Sequence, residues 1–160
     1  MNDRDYTFIS RDDFREMTGK GDFIEWAEIH GELYGTSRKR LEEMLNAGDD
    51  VILDIDTQGA MQIKKRMMGG TYVFILPPSL EILRKRLEKR MTDAKEEIAK
   101  RLRRAAAEIK TYSQYDYVII NDILEDALRE FEAIIISHRV SSGMIDPLWI
   151  EESFLKQEVM

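Results

Sequence analysis

The chain has no cysteine, which excludes disulfides, thiolate metal sites and a cysteine nucleophile, and which suits a reducing compartment. It has no apolar run approaching the roughly 18 residues that a membrane span needs, and its opening MNDRDYTFIS forms no apolar signal segment. A cytoplasmic protein with no membrane partner is therefore expected. Positive charge is also short: 24 Lys and Arg stand against 31 Asp and Glu, for a net charge of -7. A general nucleic-acid binder must neutralise phosphates with a basic surface, so the charge argues against that class and no nucleic-acid partner is expected, although a nucleotide could still be held by a local patch. There is no internal repeat and no low-complexity segment.

What remains suits one globular domain: 160 residues, 43% hydrophobic and 34% charged. YTFIS (6–10) alternates like a strand. Ser10 then caps a short helix that Gly19 or Gly21 ends. Residues 22–35 alternate apolar and polar around His30-Gly31 and predict a hairpin or a small β-meander. Thr36 is expected to cap a helix whose Leu41, Met44 and Leu45 share a face before Gly48. From residue 51 the rhythm becomes VILDID, helix, YVFIL (72–76), helix, YVII (117–120), helix, the alternation of a parallel sheet with strands buried on both faces. Ser79, after Pro77-Pro78, caps the helix LEILRKRLEKR. Thr92 or Asp93 starts another, running to about Tyr112, and 124–138 is the closing helix. Beyond Ser141 periodicity fades, while Leu148, Trp149, Ile150 and Phe154 suggest a docked or partner-seeking tail.

Two places concentrate chemistry. In an extended VILDID, Asp54 and Asp56 share one face, opposite Val51, Leu53 and Ile55. One Asp at a strand end is accounted for by a helix cap, but a pair at the carboxyl end of a parallel strand lies where such sheets bind ligands. Residues 84–104 carry ten Lys or Arg against four Asp or Glu. Taken singly these are solvated helix residues. Arg86 and Arg90 nevertheless lie one turn apart, and with Arg101 on the next helix three guanidinium groups are positioned to converge on an anion such as a transferring phosphoryl group.

DYTFIS, FIEWAEIHGELYGTS, DVILDIDTQGA, FILPPSLEILRKRLEKR, the KRL at 100–102 and YDYVIIND together resemble guanylate kinase, in order, from about residue 3 to 139. The resemblance implies an α/β fold: a P-loop-NTPase-type parallel sheet core flanked by helices, a small mixed β subdomain that binds GMP, and a helical lid. It divides the chain into a domain over 1–140, comprising a GMP subdomain at about 3–47, a core at 48–85 and 113–139, and a lid at about 86–112, followed by a tail over 141–160. It implies transfer of the terminal phosphoryl group of ATP to GMP with Mg2+, so GMP and ATP are the expected partners. It gives Tyr6 and Tyr34 the GMP phosphate, Glu25 and Thr36 the guanine, and Asp56 a further GMP contact. Asp54 would act on Mg2+ through water, Arg86, Arg90 and Arg101 would be the lid arginines, and Asn121 would lie beside the adenine. The Glu25 role is chemically apt, because guanine presents N1–H and N2–H donors side by side and a carboxylate accepts both. Taken alone, Tyr6 and Tyr34 are half-buried aromatics, Trp26 is packing, Glu25 is an outward strand residue and Asn121 is a turn residue.

The sequence also departs from the family. The GxxxxGK[ST] phosphate loop is missing, and Met68-Gly69-Gly70 does not replace it, since no Gly-Lys-Ser follows and a strand comes next. Lys89 and Met91 stand where the lid has glycines. The expectation is a chain without the family's central first strand, which would lie between VILDID and YVFIL. That loss splits the sheet, so the chain by itself is expected to show little or no kinase activity. The alternative is a non-catalytic guanylate-kinase-like binding module.

Overall fold

A computed structural model describes residues 6–29, 31–67, 69–90 and 95–156, with only the backbone of Arg90. The chain divides into two compact units, one ending at Gly70 and the other beginning at Thr71.

The first unit opens with helix α1 (Arg11–Lys20). Its start is chemical: the Ser10 hydroxyl accepts from the Asp13 N–H at 3.1 Å, satisfying one of the donors that a helix N-terminus leaves over. Its end is Gly21, whose left-handed φ of 76° lets the cap N–H turn back to the carbonyls of Met17 and Thr18. Strands β1 (Phe23–Ile29) and β2 (Glu32–Ser37) then form the antiparallel hairpin that alternation predicts. A bulge between Phe23 and Glu25 shifts the register. Phe23, Ile24 and Glu25 are consequently all buried, where a regular strand would turn alternate residues outward. Helix α2 (Arg38–Asn46) follows, capped by Ser37 and not by Thr36, because β2 runs to Ser37, two residues further than its sequence suggests.

Residues 6–10 and 51–56 depart from their strand reading. Only Tyr6 carries an isolated bridge, and VILDID is assigned to no strand. Apolar alternation supplies a face, but a strand exists only where a neighbouring backbone takes its hydrogen bonds along a run of residues, and neither segment is a strand of the two sheets among the described residues. The expected burial survives in part, with Val51, Leu53 and Ile55 half-buried and Ile52 and Asp54 exposed. Helix α3 (Thr57–Arg66) starts at Asp56, whose carboxylate caps it by accepting from the Gly59 N–H at 2.9 Å. The core of this unit joins Phe14, Phe23, Ile24, Ala27, Leu41, Ala60 and Ile63, with the Phe14 and Phe23 rings stacked at 4.5 Å.

The second unit is built on strands β3 (Val73–Leu76) and β4 (Tyr117–Ile120), paired in parallel from Val73 with Tyr117 to Leu76 with Ile120. Helix α4 (Leu80–Arg90) begins after Ser79, whose hydroxyl accepts from the Ile82 N–H at 3.1 Å. Helix α5 (Lys95–Ile109) packs with α4 and ends before Tyr112; Thr92 and Asp93, the expected start, lie outside the described residues. Helix α6 (Leu124–Arg139) packs on β4. Phe74 and Ile119 are the buried centre, with the Tyr115 ring edge-on to Phe74 at 4.7 Å. Beside them, burial and then the Asp116 carboxylate hold the Tyr72 phenol above its usual range. The tail is more regular than its sequence suggests: helix α7 (Pro147–Ile150) runs into a wider turn over Glu151–Leu155, with the Trp149 and Phe154 rings edge-on at 5.4 Å. No helix among the described residues is long and apolar enough to cross a membrane.

Candidate functional site

In the first unit a charged side chain has been taken out of water. Glu25 is 5% exposed, the one charged residue in the buried set among the described residues. An isolated buried carboxylate is costly, so its neighbours decide whether the arrangement is tenable. Thr36 lies directly opposite it across the hairpin and donates its hydroxyl to Glu25 Oε1 at 2.6 Å. The hydroxyl assigned to a helix cap by sequence is thus turned to the carboxylate, while Ser37 caps the helix. Two residues along β2 on the same face comes Tyr34, whose ring meets that of Tyr6 at 6.1 Å, edge to face. Both tyrosines are exposed.

Helix α3 closes the other side. An ideal Cβ built on Gly59 would stand 2.6 Å from Glu25 Oε2, so the bare α-carbon of the helix lies against the carboxylate. Through the Gly59 cap Asp56 belongs to the same cluster, which gathers Glu25, Thr36 and Asp56. Asp54 is exposed just before them. A buried carboxylate with one hydroxyl donor keeps acceptor capacity, since its two oxygens together take about four hydrogen bonds. It is suited to paired N–H donors.

Three residues that the sequence reading did not single out, Gly59, Gln62 and Arg66, hold this cluster. Gln62 receives the Trp26 N–H on Oε1 at 3.3 Å and gives its amide to the Trp26 carbonyl at 2.8 Å. Arg66 donates to the Ile24 carbonyl at 2.9 Å. Their i, i+4 spacing on α3 was the available signal.

The candidate residues of the second unit are arranged differently. The Arg86 guanidinium is spent on backbone, donating to the Asn121 carbonyl at 2.8 Å and to that of Asp122 at 3.4 Å. Arg86 and Asn121 are therefore brought together. Arg101 is half-buried on α5, and its Nε has no partner among the described residues. The Arg90 side chain and Met91 lie outside those residues, so the described atoms bring no three guanidinium groups to one point. Lys89 is an ordinary residue of α4. Among the described residues no cluster of three or more His, Cys, Asp or Glu could hold a metal ion.

The guanylate kinase family model matches residues 1–138. The chain belongs to the guanylate kinase family. A guanylate kinase of Geobacter metallireducens is 50% identical over 139 residues, which are 87% of this chain and 68% of that protein. One from Vibrio cholerae is 51% identical over 135 residues, 84% of this chain and 65% of the relative. The crystal structure of guanylate kinase from Anaplasma phagocytophilum superposes with a TM-score of 0.80 at 32% identity, covering 99% of this chain and 78% of that one. These relatives favour a nucleoside monophosphate kinase over a non-catalytic module of similar fold.

Proposed function

We propose that the first unit is the GMP site of a guanylate kinase and that Glu25 reads the guanine. The observation that carries this is the buried carboxylate itself, held on one oxygen by Thr36 and pressed on the other by Gly59. Guanine N1–H and N2–H offer two adjacent donors to such a group, whereas adenine offers an acceptor at N1 and would leave a buried charge unpaired. Thr36 and Asp56 complete the base side. Tyr6 and Tyr34, exposed and adjacent, turn their hydroxyls to the GMP phosphate.

The reaction is transfer of the terminal phosphoryl group of ATP. A GMP phosphate oxygen forms the new P–O bond as the bond between the terminal phosphorus and the ADP oxygen breaks, giving GDP and ADP. Charge balances across the reaction without a proton moving, so the residues needed are those that orient and offset charge. Arg86, Arg90 and Arg101 are assigned to that charge, and Asn121 to the adenine. Mg2+ would offset charge on the ATP phosphates; it keeps most of its waters and needs few protein carboxylates, which fits an exposed Asp54 acting through water.

ADP release from ATP and Mg2+, with GMP or AMP as acceptor, tests the reading. Transfer confined to GMP is expected, at whatever rate the chain supports. AMP serving as well as GMP would overturn it.

A further inference from the structure

Gly59 does more than start a helix. It is the third residue of α3, and its N–H is fixed by the Asp56 carboxylate at 2.9 Å. The three heavy atoms closest to a Cβ built there all belong to Glu25: Oε2 at 2.6 Å, Cδ at 3.2 Å and Cγ at 3.5 Å. A carbon held 2.6 Å from an oxygen overlaps it, so a side chain at 59 must displace either the helix or the carboxylate.

The helix is the harder of the two to move. Gln62 pins α3 to both peptide groups of Trp26, and Arg66 pins it to the Ile24 carbonyl. These fastenings fall on the residues immediately before and after Glu25, so α3 is tied to β1 on both sides of the carboxylate. Glu25 Oε1 is held in turn by Thr36 at 2.6 Å. The free element is Oε2, and its position is set by the missing side chain of residue 59.

We infer that Gly59 is a specificity-determining residue that acts through Glu25, leaving Oε2 where it completes the second hydrogen bond to guanine. The inference rests on the base-reading role of Glu25 proposed above. It separates from that role through inosine monophosphate, which keeps N1–H and lacks the 2-amino group. The ratio of GMP to IMP affinity reports the second bond alone, and a merely structural glycine would not change it.

The test is titration of the full chain with GMP, IMP and AMP, followed by amide chemical shifts, for wild type and Gly59→Ala. Wild type should prefer GMP over IMP by about tenfold or more, the worth of one hydrogen bond to a charged group. Gly59→Ala, folded by its spectrum, should bring that ratio to within about threefold of unity, near the limit of what lost pairing leaves. A folded Gly59→Ala with the wild-type ratio would overturn the inference. If Gly59→Ala does not fold, the double variant Gly59→Ala, Glu25→Ala decides. Recovery of the fold shows that the carboxylate fills the space glycine leaves, and continued failure contradicts it. A wild type that favours GMP over neither IMP nor AMP would overturn the base-reading role itself, and this inference with it.

Discussion

In the unit that ends at Gly70, β1 is served twice: β2 pairs with it along its length, and the Gln62 and Arg66 side chains take peptide groups of Phe23 to Trp26 in place of a further strand. In the unit that begins at Thr71, β3 and β4 pair with one another, and Ile75, Tyr117, Val118 and Ile120 are exposed. Parallel strands with apolar residues on both faces normally have both faces covered. The contrast follows from distance along the chain. A hairpin and the helix after it meet within about 40 residues and can satisfy each other, whereas a parallel pair depends on crossovers and on cover brought from afar. Chemistry follows the same line, because a buried carboxylate is tenable only where its surroundings are already complete.

The largest effect that sharpens this contrast is in the cores. Ile24 is 2% exposed, and Ile24→Ala should cost about 2 to 5 kcal/mol of unfolding free energy in urea. Ile120 sits in a strand too, but at 49% exposure Ile120→Ala should cost no more than about 1 kcal/mol. Equal costs would break the contrast.

Next is the helix that stands in for a strand. Gln62→Ala strips the Trp26 peptide of two part-buried hydrogen bonds and should cost about 1 to 3 kcal/mol, with faster hydrogen exchange at the Trp26 amide. A silent substitution would mean that water serves β1 as well as α3 does. The smallest effect treats the two units alike: Ser10→Ala and Ser79→Ala each remove one cap and should each cost about 1 kcal/mol in thermal melts.

Local chemistry was legible in the sequence. Ser10 and Ser79 as caps, Gly21 as a terminator, the hairpin and α6 follow from short-range rules. The two Asp residues divide as their alternatives suggested, with Asp56 a helix cap beside the carboxylate and Asp54 exposed. What was not legible depends on partners distant in sequence. YTFIS and VILDID have strand composition but belong to neither sheet among the described residues, with one bridge at Tyr6. Glu25, an outward residue by alternation, is buried because of a bulge that composition does not announce. Its burial also changes what a substitution means, since a change at Glu25 bears on the fold as well. Arg86 looked like a free cation and is bound to backbone carbonyls 35 residues away.

The central claim is that the Glu25 carboxylate reads guanine, and Glu25→Gln tests it most directly. The amide is nearly isosteric, and its oxygen can keep the Thr36 hydrogen bond, so the fold should survive. Its NH2, though, faces the donors of the base. Titration with GMP should show affinity weakened by about 2 to 4 kcal/mol, roughly 30- to 1000-fold. A folded Glu25→Gln chain that binds GMP as tightly as wild type would contradict the account.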